Sequence, residues 1–121
     1  MRKKNNQTKF HNELKKNMDE FVNFIYDVTE RFPKQQLYGL TSQLQRSSLS
    51  IILNYIEGYA RLAKGYLKNF LEISYGSLKE TKYLLYFSYK RKYLKKEDYE
   101  KGLLMADNIG KMLWGILIKL K

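Results

Sequence analysis

Six polar residues in the middle of the chain, Gln43, Arg46, Ser50, Asn54, Glu57 and Arg61, follow one another at intervals of 3, 4, 4, 3 and 4. On a helix that spacing draws a single stripe. Such a stripe either satisfies buried polar groups between helices or lines a groove or pore. The first use is favoured, because buried polar groups normally exist to be hydrogen-bonded. A second constellation is cationic. Lys79, Lys82, Lys90, Arg91, Lys92, Lys95 and Lys96 stand against one acid, Glu80, with Tyr83, Tyr86, Tyr89 and Tyr93 interleaved. Lysine and arginine neutralise phosphates and release counterions, and tyrosine rings stack on unpaired bases. Without a ligand, the same run is a solvated helix end whose tyrosines cover the core. The whole-chain balance of 23 basic against 12 acidic residues, a net +11, favours a polyanion partner. Its expected contacts are Lys79, Lys82, Tyr89, Lys90, Arg91, Lys92, Tyr93, Lys95 and Lys96.

Other chemistries find no residues. There is no cysteine and a single histidine, His11, which reads as an ordinary surface residue. Glu57, Glu72 and Glu80 lack the Glu-x-x-His partners that two-metal bundles use. Seven dispersed glycines build no phosphate-cradling loop. No catalytic residue, metal or cofactor is therefore expected, and the function reads as non-enzymatic.

The elements that must position these residues are helical. At 121 residues the chain has room for one domain. Leu14, Met18, Phe21, Ile25, Val28 and Phe32 mark a first helix, which Pro33 must stop. A second runs from about Leu37 to Leu62, with small serines that suit close helix approach. A third follows Gly65, carrying Leu67, Phe70, Leu71, Ser74, Leu78, Thr81 and Leu85 on one side. After a connection at Tyr93–Lys96, Glu97 and Asp98 favour the start of a fourth. Short connections imply an all-α, antiparallel up-down four-helix bundle over residues 10–121, with residues 1–9 a flexible basic arm. Glycines 58, 76 and 110 fall inside these helices, where close packing would explain them. The fourth helix carries a second apolar stripe, Met105, Ile109, Met112 and Ile116, with Trp114 and Ile118 beside it. That excess implies burial on more than one face. Met112, Trp114, Ile116 and Ile118 are accordingly the expected homo-oligomer interface. The N-terminal stretch lacks the apolar core of a secretory signal, and no apolar run is long enough to span a bilayer, so a cytoplasmic location is expected.

The middle of the chain also resembles a known family. Phe32-Pro33, Tyr38-Gly39-Leu40-Thr41-Ser42-Gln43-Leu44, Arg46, Ser50-Ile51, Asn54, Glu57-Gly58-Tyr59 and Arg61 are similar to the four-helix bundle proteins encoded in intervening sequences of bacterial 23S ribosomal RNA genes. Phe70-Leu71, Ile73, Gly76-Ser77-Leu78 and Glu80 resemble that family's second block. Gln36, Gln45, Ile52-Leu53 and Ile56 depart from its usual Glu, Arg, Pro-Ser and Ala. The resemblance implies a homo-oligomer, a five-membered ring, with no established enzymatic activity. A more distant branch comprises the accessory variability proteins of diversity-generating retroelements, which partner a reverse transcriptase and contact nucleic acid.

Overall fold

The computed structural model describes residues 2–61, 63 and 65–120, and the backbone alone for residues 2–5. Four helices carry the chain: α1 (Arg2–Thr29), α2 (Ser42–Ala60), α3 (Gly65–Lys90) and α4 (Lys96–Lys119). No strand occurs among the described residues. The helix continues through the residues read as an arm, because Arg2 to Phe10 contains no glycine or proline and Arg, Lys and Gln are good helix formers. Pro33 acts a little beyond the end of α1 and opens a 3-10 turn, Lys34–Gln36. A wide turn, Leu37–Thr41, follows, broken at Gly39 by non-helical backbone. The second helix therefore starts five residues later than its apolar pattern suggests. Leu40 still reaches the core, while Tyr38 projects into solvent, 94% exposed.

The periodic residues pack as their spacing requires. Leu14, Met18, Phe21 and Ile25 of α1 meet Leu44, Ile51 and Tyr55 of α2, Leu71, Leu78 and Leu85 of α3, and Ile109 and Leu113 of α4 in one continuous core. Burying each such side chain contributes about 1.5–3 kcal/mol. Between α2 and α3 the core is small and polar. Ser47 meets Thr81 (2.7 Å), Ser50 meets Ser77 (2.7 Å), and the Ser74 hydroxyl donates to the Ile51 carbonyl (2.6 Å). As the numbers rise along α2 they fall along α3. These hydroxyls let the two helices approach closely without orphaning a polar group, and no buried side-chain polar atom among the described residues lacks a partner.

Glycine serves close packing at some positions only. A Cβ at Gly58 would lie 3.0 Å from Phe70 Cβ, and one at Gly102 would lie 2.9 Å from Phe24 Cε2. At Gly76 it would meet nothing within 4 Å, so the packing explanation fails there. No helix among the described residues is long and apolar enough to cross a membrane.

Candidate nucleic-acid interface

The end of α3 sets the geometry of the basic stretch. Lys92 adopts the left-handed region (φ 66°). Its N–H donates to the Tyr89 carbonyl (3.0 Å), and the Tyr93 N–H donates to the Ser88 carbonyl (2.9 Å). This is the paired-bond helix stop that usually takes glycine. The turn holds Lys90, Arg91, Lys92, Lys95 and Lys96 as exposed cations at one end of the bundle. Beside them a recess of about 400 Å³ is lined by Arg31, Lys92, Lys95 and Asp98, and Arg31 Nη2 lies 3.1 Å from Asp98 Oδ2. That ion pair ties the end of α1 to the start of α4.

The structure divides the expected contacts. Lys79 and Lys82 lie on α3, about 16 Å and about 12 Å along the helix from Lys90 at roughly 1.5 Å per residue. Lys82 is half-buried and its ammonium is 2.7 Å from Asp107 Oδ1, so much of its charge is already answered. Lys79 sits over the Tyr75 ring at 5.1 Å. Tyr89 and Tyr93 are not open stacking platforms. Tyr89 stacks on Tyr99 with centroids 4.9 Å apart and planes 4° apart, and Tyr93 packs against Phe32 at 6.0 Å. Both rings support the core. For Tyr89 the phase on α3 is the reason, since it follows the buried Leu85 and Ser88 toward α4, whereas Tyr93 lies in the turn beyond the helix.

The rings that do face solvent are Tyr83 (61% exposed), Tyr86 (45%) and Phe87 (40%). Tyr83 lies 6.3 Å from each of the other two, centroid to centroid. The sequence signal was present: Lys79, Tyr83, Tyr86 or Phe87, and Lys90 recur at intervals of 4, 3 or 4, and 4 or 3, out of phase with the buried positions. They form one exposed line of cation, rings and cation along α3.

The polar stripe of α2 splits as well. Asn54 donates to the Ser50 carbonyl (2.8 Å), and Ser50 joins Ser77, so these two serve the helix seam. Gln43 and Arg46 are exposed, and Arg46 makes no ion pair among the described residues. Glu57 pairs with Arg61 at 2.6 Å within one helix turn, both about half exposed, a pair worth a few tenths of a kcal/mol, about 0.5 at most. Arg61 also lies 5.4 Å over the Phe70 ring. The buried-polar use thus fits Ser50 and Asn54 but not Gln43, Arg46, Glu57 and Arg61. Gln45, where the family usually has Arg, donates to Thr29 Oγ1 (3.1 Å) and links α2 to α1.

On α4, Ile109 is fully buried while Met105, Met112 and Ile116 are half-buried against the core. The Asn17 amide on α1 donates to the Met112 sulfur (3.5 Å). The second apolar stripe is thus largely taken up within the chain, because α4 packs between α1 and α3. Trp114 and Ile118 stay outward with Leu104, and Trp114 lies beside Tyr75 (5.7 Å).

His11 is not a plain surface residue. It is half-buried, its Nδ1 hydrogen-bonds the Tyr55 hydroxyl, and its ring meets Tyr59 edge-on at 4.8 Å. Burial, helped by the Lys15 charge, lowers its pKa, and burial raises those of both tyrosines. Among the described residues no cluster of His, Asp or Glu is arranged to hold a metal.

Fold and surface define a basic, all-helical bundle with an aromatic and cationic line on one helix. A family model for the 23S rRNA-intervening sequence protein matches residues 11–115, and the chain belongs to that family. It is also similar to a crystal structure of a protein of unknown function from the S23 ribosomal protein family of Bacteroides thetaiotaomicron. The two are 26% identical, with a TM-score of 0.79, over 86% of this chain and 97% of the other. No curated protein matches the chain in sequence.

Proposed function

We propose that the protein is a non-enzymatic, cytoplasmic RNA-binding module, an up-down bundle acting as a homo-oligomer. Single-stranded RNA lies along α3, its bases on Tyr83, Tyr86 and Phe87 and its phosphates toward Lys79, Lys90 and the basic turn. The observation that carries this reading is the exposed line of rings between two lysines, on a chain of net +11. Aromatic platforms beside cations bind single strands without needing to read sequence. Replacing Lys90, Arg91 and Lys92 by Glu tests it in filter binding at several salt concentrations. If each cation releases counterion, the slope of log affinity against log salt falls by about two, at roughly 0.7 per phosphate for single strands. An unchanged slope would leave the charge to serve solubility or an acidic protein.

The oligomer is supported by Leu104 (63% exposed), Trp114 (46%) and Ile118 (50%), apolar side chains on the outer side of α4. Light scattering should give a mass several times 14.5 kDa, five subunits being the number the family resemblance implies. Trp114→Glu should lower it, since a charge buried in an interface is costly.

A further inference from the structure

At the end of the bundle opposite the basic turn, the start of α1, the end of α4 and Tyr59 enclose a groove of about 580 Å³. Phe10, Met112 and Ile116 give it mainly apolar walls, and Asn6 and Gln7 also line it. Three features mark it as built to hold something. Gly115 lies in its wall, inside α4, where glycine weakens a helix relative to alanine. A Cβ there would meet nothing within 4 Å, so packing within the chain does not call for glycine, and its missing side chain leaves the groove open. Lys111 and Lys119 line it without an ion-pair partner, and no acid lines it, among the described residues. His11 also lines it, with Nδ1 engaged by Tyr55 and Nε2 without a partner among the described residues.

Apolar walls and two ammonium groups without an ion-pair partner among the described residues together specify an anion with a hydrocarbon body. An oligonucleotide does not fit that description, since its charges are many and it offers no aliphatic surface for the walls. We propose that this groove binds an aliphatic monocarboxylate, its chain over Gly115 against Phe10, Met112 and Ile116, and its head group toward Lys111, Lys119 and His11. The volume lies within the range usual for small-molecule sites, about 300–1,000 Å³.

The test is displacement of the fluorescent probe anilinonaphthalene sulfonate from the full-length protein by decanoate, with decanol as the uncharged control. Decanoate should displace the probe and decanol should be about tenfold weaker, the loss expected for one charge-assisted hydrogen bond. Gly115→Leu, which fills the groove, should weaken decanoate by about tenfold or more while leaving the circular dichroism and RNA binding unchanged. Should that variant not fold, Lys111→Glu with Lys119→Glu gives the same reading: decanoate weakens and decanol does not. Equal binding of decanoate and decanol, or indifference to these substitutions, overturns the proposal. So does a wild-type protein that ignores decanoate while Gly115→Leu lowers its mass in light scattering, because the groove then holds a second copy of the chain.

Discussion

Replacing Tyr83 and Tyr86 by alanine separates the two groups of tyrosines on α3. Both rings are exposed, so their loss should change folding stability little, within about 0.5 kcal/mol each. A base stacked on an aromatic side chain contributes about 1–3 kcal/mol. The two rings lie 6.3 Å apart and share one strand, so their effects will not add fully. The double variant should therefore lose roughly 2–4 kcal/mol, about 30- to 1,000-fold in Kd, toward single-stranded RNA. Duplex RNA, whose base faces are already stacked, should lose far less. Tyr89→Ala is the contrasting variant. It removes the ring stacked on Tyr99 at 4.9 Å and leaves a gap between α3 and α4, costing about 1–3 kcal/mol of stability with the folded protein's RNA affinity unchanged. Fluorescence anisotropy with labelled single-stranded and duplex oligoribonucleotides, alongside thermal melts, reads all of these. Single-strand binding indifferent to Tyr83 and Tyr86, or duplex binding lost by the same factor, would refute the platform. A Tyr89→Ala variant that melts normally but fails to bind RNA would move the site to the turn.

Lys92→Gly should stabilise the protein by about 0.5–1 kcal/mol: relief of a left-handed lysine, about 1–2 kcal/mol, exceeds the added entropy of glycine, about 0.5–1 kcal/mol. A melt that shifts downward would show that the lysine side chain makes contacts outweighing its strain. Gly102→Ala should destabilise by up to about 2 kcal/mol, because overpacking against Phe24 and Leu85, about 1–3 kcal/mol, outweighs the helix gain of alanine, about 1 kcal/mol. Gly76→Ala should instead stabilise by about 1 kcal/mol, and chemical denaturation of the pair checks the contrast. The pKa of His11 is lower in the folded protein than its ordinary 6.5, so the unfolded chain binds more protons as pH falls through that region. Stability should drop from pH 7 toward pH 5, and His11→Gln should remove that part of the drop in melts across the range.

Sequence periodicity carried most of the fold. The heptad-like spacing of Leu14, Met18, Phe21 and Ile25, and of Leu71, Leu78 and Leu85, leaves one face that water disfavours, and all seven are buried. The serines at 47, 48 and 50 likewise pointed to a close helix approach, and the structure supplies the partner, α3, through Ser77 and Thr81. The start of α2 was not legible, since Leu37 keeps helical time with Leu40 and Leu44 while the turn through Gly39 takes it out of line.

What residue types and spacing determined, then, is four amphipathic helices and a strong positive charge. Only the tertiary structure decided how that surface is used. Tyr83, Tyr86, Tyr89 and Tyr93 are chemically equivalent along the chain, and a tyrosine suits a core edge and a solvent face equally well. Phase along α3 separates Tyr83 and Tyr86 from Tyr89, but which side is covered depends on where α4 packs, as Tyr99 covers Tyr89 and Asp107 answers Lys82. His11 and Tyr55 are 44 residues apart and meet only because α1 packs on α2. The apolar excess of α4 reads the same whether a second subunit or α1 covers it, and most of it went to α1, since a helix with neighbours on two sides must be apolar on both.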